Sequence, residues 1–255
     1  RRFSGCCKSL TRGFERMRII KKETYEELSR CAADMILAAV REKPECVLGL
    51  ATGSTPIGTY DCLAAACREG KATFRQAKTI NLDEYTGLGE NDPQSYRFFM
   101  EEHLFRHIDI RRENTHIPNG LAPDAAEECK RYEALYERLG GIDLQLLGIG
   151  QNGHIGFNEP SRALEAGTHV VELSESTRIA NSRNFASLSA VPHGAITLGM
   201  GGILKARRIL LLASGEQKKE ALRKAVHGKV DPEVPASFLQ LHPDVTVICD
   251  FSLTL

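Results

Sequence analysis

Gly148 to Pro160 reads GIGQNGHIGFNEP and follows directly on the apolar run Leu144-Gln145-Leu146-Leu147. The run predicts a buried strand. Four glycines, Gly148, Gly150, Gly153 and Gly156, predict a chain that turns tightly behind it and lets a ligand approach the backbone. Asn152, His154, Asn158 and Glu159 are interspersed with them, and Pro160 closes the stretch. In an open α/β sheet, a loop of this kind at the C-terminal end of a strand is where chemistry is placed. A lone Gly-rich loop is more often a solvated turn. Four glycines with His, Asn and Glu within thirteen residues favour a site.

Outward from this stretch, strand and helix signals alternate. Met17-Arg-Ile-Ile reads as an edge strand. Tyr25, Leu28, Ala32, Met35, Ile36, Ala39 and Val40 trace one face of a helix that Thr24 caps. Cys46–Leu50 is a buried strand running into Ala51-Thr-Gly-Ser-Thr-Pro, and Pro56 opens a helix to about Arg68. Lys78–Leu82 is a strand ending in Asp83-Glu84-Tyr85. Helices follow Pro93 and Pro123, then comes the Leu144 strand. After the opening loop, His169–Leu173 is extended, 177–185 is polar, and 186–196 is small and loop-like, so that 177–196 reads as a lid. A short helix ends near Lys205, Arg208–Ala213 is a strand, Ser214–Val226 opens into a helix, and Val245–Asp250 is the last strand. The alternation predicts an α/β fold: an open, doubly wound, mostly parallel, Rossmann-like sheet with helices on both faces.

Residues 1–16 stand apart. Arg1, Arg2, Lys8, Arg12 and Arg16 face a single acid, Glu15, with no helical period. The expectation is a non-native or disordered extension ahead of a single domain at 17–255, with Met17 the natural start, rather than a transit peptide.

Lys plus Arg and Asp plus Glu balance at 33 each, so no global field draws nucleic acid or an anionic membrane, and any phosphate affinity is local. No apolar run approaches a membrane span. The eight cysteines form no Cys-x-x-Cys pair, which predicts buried free thiols in a reducing, cytoplasmic setting. There is no Walker loop, dinucleotide fingerprint, His-Glu-x-x-His helix, nucleophilic Ser elbow or pyridoxal-lysine motif.

The candidate groups fall into two sets. Asp83, Asn152, His154 and Glu159 follow strands at their C-terminal ends and suit proton transfer. Because side chains alternate along a strand, only one of Asp83 and Glu84 is expected to face the site. Gly53, Ser54 and Thr55, with Arg183 and Lys218, could form an anion pocket from a βα turn, a lid and a helix start. Charge-assisted hydrogen bonds to a phosphate contribute about 1.5–3 kcal/mol each, enough to anchor a small sugar phosphate.

These motifs resemble those of the glucosamine-6-phosphate deaminases, also called glucosamine-6-phosphate isomerases. The likeness runs from Met17 to Asp250 and rests on LGLATGSTP (48–56), NLDEY (81–85), the 148–160 stretch, TRIANSR (177–183), GEQKKEAL (215–222) and PASFLQLHPDVTVICD (235–250). It implies conversion of glucosamine 6-phosphate to fructose 6-phosphate with loss of ammonia, without metal or organic cofactor. Asp83 would move the proton between C2 and C1. His154 would open the pyranose ring, oriented by Glu159 and Asn152. Residues 53–55, Arg183 and Lys218 would hold the phosphate.

Two departures bear on the expectation. Many members carry Asp where Asn152 stands. Allosteric hexameric members carry Arg and Lys where this chain has His169 and Val171, so no N-acetylglucosamine 6-phosphate activation is expected, and a monomer or small homo-oligomer is. The alternatives are a sugar-phosphate lactonase of the same fold and a sugar-phosphate-sensing module. The latter needs a DNA-binding element, for which residues 1–22 are too short.

Overall fold

The computed structural model describes residues 17–173, 187 and 191–253. The expectations for residues 1–16, for Arg183 and for most of the 177–196 lid lie outside the described residues.

Among the described residues, ten strands and six α-helices follow one another. The first half holds β1 (Arg18–Lys21), α1 (Tyr25–Glu42), β2 (Val47–Leu50), α2 (Ile57–Arg68), β3 (Lys78–Asn81), β4 (Asp83–Tyr85), α3 (Tyr96–His103), β5 (Thr115–His116) and α4 (Ala125–Arg138). The second holds β6 (Leu144–Gly148), β7 (His169–Glu172), β8 (Gly194–Thr197), α5 (Met200–Leu204), β9 (Ile209–Ala213), α6 (Lys219–His227) and β10 (Val245–Cys249). Seven strands form one sheet in the order β1-β10-β9-β6-β2-β3-β5, every neighbouring pair parallel.

Central strands of such a sheet are apolar throughout because helices cover both faces. In β9, Ile209, Leu211 and Ala213 join a core with Tyr132 and Leu135 of α4, Ile203 of α5 and Leu222 of α6. Leu210 and Leu212 join the opposite core, with Leu28 and Ile36 of α1, Tyr60 and Leu63 of α2 and Met100 of α3. The two-residue period of the strand thus assigns alternate side chains to two helical layers.

Local signals start the helices where the sequence places them. Thr24 caps α1 by accepting from the Glu27 N–H at 3.2 Å, and Asp124 caps α4 by accepting from Ala126 and Glu127. Such caps contribute about 1 kcal/mol each.

The alternation breaks in one region. Asp83-Glu84-Tyr85 is not the trailing end of the β3 strand. It opens a second, antiparallel sheet of order β4-β8-β7. Gly194–Thr197, expected to end a loop, is the middle strand of that sheet. Leu82 alone separates β3 from β4, so no turn residue marks the departure, and strands of three or four residues carry little periodicity.

The topology fixes the site. From β2 the chain winds outward to β3 and β5, then returns to β6 on the other side of β2 and winds outward again. The C-terminal ends of β2 and β6 flank this reversal, the crevice where open α/β sheets bind ligands. The loop 148–160 leaves β6 there, and the 51–56 turn leaves β2.

Candidate active site

The 148–160 loop is shaped by its glycines. Gly153 (φ +90°) and Gly156 (φ +59°) occupy left-handed conformations that other residues avoid. The Gly150 N–H donates to the His154 carbonyl at 2.9 Å and the Gly153 N–H to the Gly150 carbonyl at 3.0 Å. Gly150 has a separate reason to lack a side chain: an added Cβ would lie 2.2 Å from Cε1 of His154. The imidazole rests on the Gly150 backbone.

A side-chain relay orients that ring. Asn152 Nδ2 donates to Glu159 Oε2 at 2.7 Å. A carboxylate only accepts, so the amide nitrogen must face Glu159 and the amide oxygen must face His154. Asn152 Oδ1 lies 2.7 Å from His154 Nδ1, so Nδ1 carries the proton. Nε2 is left with its lone pair and makes no hydrogen bond among the described residues. Glu159 Oε1 stands further off, 3.5 Å from Nδ1. Asn152 is therefore the direct partner of the imidazole and Glu159 its support.

Asp83 is buried, and its carboxylate makes no hydrogen bond among the described residues. An ideal Cβ on Gly156 would lie 3.3 Å from Asp83 Oδ2, so the loop that carries His154 passes directly against the carboxylate. Opposite Asp83 in register is Thr197, whose hydroxyl accepts from the Phe157 N–H at 3.2 Å. Phe157 stacks on Tyr96 with centroids 5.9 Å apart, and Tyr85 packs against both. In this setting burial, and then the charge of neighbouring Glu84, push the Asp83 carboxyl up to about 8. Glu84 points the other way, as alternation requires. It accepts from the N–H groups of Tyr85, Tyr96 and Arg97, each at 2.9 Å.

A cleft lies at the same sheet edge, beside the turn expected to hold an anion. It measures about 440 Å³ and is lined by Ser54, Thr55, Ser214, Gly215 and Tyr25, among others. Gly53 turns the chain with φ +99°. The Tyr25 hydroxyl lies 3.1 Å from the carbonyls of Ser54 and Thr55 and accepts from the Gly58 N–H at 2.9 Å, pinning the turn to α1. Across the cleft, Asp250 accepts from the Ser214 hydroxyl at 2.5 Å and the Gly215 N–H at 2.9 Å. Lys218 ends the 3₁₀ turn that leads from this loop into α6.

The structure thus puts Ser54 and Thr55, in the turn that Gly53 makes, on one wall of a cleft, with Lys218 ending the 3₁₀ turn that continues the other wall. It sets His154, Asn152 and Glu159 in one hydrogen-bonded chain and brings their loop against Asp83. Sequence reasoning missed the supporting groups. Glu84 passed only as the acid of the pair that faces away from the site, Tyr25 as one apolar position of a helix face, and Asp250 as the end of a strand. Only the polarity of Asp250 after five apolar or β-branched residues hinted at a task. Among the described residues no cluster of three His, Cys, Asp or Glu side chains is placed to hold a metal ion.

The chain is similar to known proteins along nearly its whole length. The family model for glucosamine-6-phosphate isomerases/6-phosphogluconolactonase matches residues 20–248. The glucosamine-6-phosphate deaminase of Lachnoclostridium phytofermentans is 56% identical over 235 residues, covering 92% of this chain and 100% of that protein. That of a Geobacillus species (strain WCH70) is 56% identical over 234 residues, covering 92% and 93%. The solved structure of a monomeric glucosamine-6-phosphate deaminase superposes with TM-score 0.89 at 50% identity, covering 91% of this chain and 97% of its own. A 6-phosphogluconolactonase from Thermotoga maritima shares the fold, with TM-score 0.71 at 18% identity over 91% and 97%.

Proposed function

Because this chain belongs to the glucosamine-6-phosphate isomerase/6-phosphogluconolactonase family, we infer that it is a glucosamine-6-phosphate deaminase. It converts glucosamine 6-phosphate and water to fructose 6-phosphate and ammonia. Sequence identity of 50–56% to deaminases over nine-tenths of the chain supports this activity. The lactonases share the fold at 18–21% identity, which does not carry function.

The single observation behind the mechanism is a buried carboxylate beside a loop that presents His154 Nε2, both without a hydrogen-bond partner among the described residues. With the phosphate held by residues 53–55, Lys218 and Arg183, the sugar is anchored at its C6 end. His154 Nε2 takes the proton of the anomeric hydroxyl and supplies one to the ring oxygen, opening the pyranose. Asp83 removes the C2 proton and returns it to C1, which leaves an imine at C2. Water adds there and ammonia departs. One base suffices because the proton moves between adjacent carbons. A carboxyl raised to about 8 is a far stronger base than an ordinary aspartate.

His169 and Val171 offer no pair of cations for a second phosphate, and we take the enzyme to act without an N-acetylglucosamine 6-phosphate effector. A monomer or small assembly in the cytoplasm fits this reading, as does the absence among the described residues of any helix able to cross a membrane.

The test is to supply glucosamine 6-phosphate and 6-phosphogluconolactone in parallel. Ammonia and fructose 6-phosphate should form in equal amounts from the first, with no acceleration of lactone hydrolysis. Lactone hydrolysis without ammonia release would overturn the assignment.

A further inference from the structure

Glu84 is a buried carboxylate, 2% exposed, with no hydrogen bond to Asp83 or His154 among the described residues. Its acceptor bonds there are to three backbone N–H groups. One is its neighbour Tyr85 and two, Tyr96 and Arg97, belong to the first turn of α3. Those two donors have no partner within the helix, and a carboxylate there also complements the helix dipole. Ser95 caps the next, accepting from Phe98 at 3.1 Å. Strand β4 is only three residues long, and its first residue is Asp83. The same turn of α3 carries Tyr96, whose phenol lies 3.4 Å from that of Tyr85 and beside the Thr52 side chain, next to the phosphate turn.

We propose that Glu84 is a positioning residue: it clamps the strand bearing Asp83 to the first turn of α3 and, when ionised, places a negative charge behind the reacting carboxylate. The proposal rests on the reading of Asp83 as the base. The groups around the pair are known. Asp92 and Arg97 act on Glu84 from the loop before α3 and from α3 itself. Tyr96 of α3 and Tyr132 of α4 feel the charge of Asp83. Burial raises Glu84 as well, to about 7, but its three N–H donors pull it back. Asp83 has no such donor among the described residues, so the negative charge settles first on Glu84 and opposes the loss of the second proton.

The experiment measures kcat, KM and the pH profile of kcat/KM for glucosamine 6-phosphate in Glu84→Gln, Glu84→Asp and Asp83→Asn. Glu84→Gln removes the charge. Its acidic limb should move to lower pH by about one pH unit, with kcat reduced at least tenfold and KM within about threefold, since the phosphate grip is untouched. Glu84→Asp keeps the charge but withdraws it from the helix. Its limb should stay at the wild-type pH while kcat falls. A lowered melting temperature with an unmoved limb in Glu84→Gln would reduce Glu84 to a structural role and overturn the proposal. If Glu84→Gln does not fold, wild-type kcat or a shifted limb in Glu84→Asp overturns it. Asp83→Asn separates the two ideas: full activity there would remove the base itself, whereas an inactive Asp83→Asn beside an unmoved limb in Glu84→Gln defeats only the role of Glu84.

Discussion

Nδ1 of His154 and Oδ1 of Asn152 lie 2.7 Å apart, and the far end of the same amide is tied to Glu159 at 2.7 Å. The amide works here as a one-way adaptor. It needs no charge to fix the tautomer, because Glu159 fixes the amide. Asn152→Ala should lower kcat by about tenfold, the equivalent of one oriented hydrogen bond. It should also release the ring from the Nδ1–H tautomer, which ¹⁵N NMR of His154 reads directly. An unaltered tautomer in the alanine variant would show that something other than Asn152 orients the ring.

Gly150 supports the same ring from beneath. An added Cβ would sit 2.2 Å from its Cε1, and the nearest atoms all belong to His154. The φ of Gly150 is not in the left-handed region, so alanine brings no backbone strain. Gly150→Ala should therefore displace the imidazole and leave the fold intact. We expect kcat down on the order of 10²-fold, in the range of a lost general acid–base group, with a melting temperature within a few degrees of wild type. Wild-type turnover would mean that the ring position matters little.

The free enzyme should show an acidic limb in kcat/KM near pH 8, where Asp83 loses its proton. Activity rises with pH through that limb because the base must be ionised. In the kcat profile the limb should lie lower, since the substrate's ammonium group beside Asp83 favours the carboxylate. Coincident limbs would place the ammonium away from Asp83.

The same residue carries a stability consequence. Its carboxyl is raised from 3.8 to about 8 in the folded protein. The folded state thus holds the proton more tightly than the unfolded chain does. The contribution is fully present below about pH 4 and is lost as pH rises through 8, where ionising a buried carboxylate works against folding. Asp83→Asn should then be inactive yet more stable than wild type, with the difference growing from pH 4 to pH 9 by a few kcal/mol at most. Denaturant melts at the two pH values measure it. A constant difference would show that Asp83 titrates normally.

Much of this was written in local signals. The Thr24 cap, the apolar run of β9 and the glycines of 148–160 each have one dominant cause, and each element stands where its cause puts it. The second sheet was hidden because its first strand pairs across more than a hundred residues, Asp83 with Thr197, and no neighbouring residue announces that pairing. Glu84 was hidden for a related reason. Its partners Tyr96 and Arg97 lie 12 and 13 residues on, so an acid that looks exposed in the sequence is in fact enclosed. The candidate groups were legible as types, a His, an Asn and two acids. The direction of the Asn152 amide, and with it the tautomer of His154, required the hydrogen bonds themselves.

The phosphate grip yields the last prediction. Ser54 and Thr55 line one wall of the cleft and Ser214 and Gly215 the other, while Lys218 ends the 3₁₀ turn that continues the second wall. A phosphate far from C1 and C2 is held alike in the ground state and in the transition state for proton transfer. Losing a contact to it should then raise KM more than it lowers kcat. For Lys218→Ala the loss of one charge-assisted bond, about 1.5–3 kcal/mol, corresponds to a rise in KM of roughly 10- to 150-fold. Inorganic phosphate, competing for the same cleft, should lose inhibitory strength in proportion. If KM rises while inhibition by phosphate stays at the wild-type level, Lys218 acts on the substrate elsewhere than at its phosphate, and the cleft between the two loops is not the anion site.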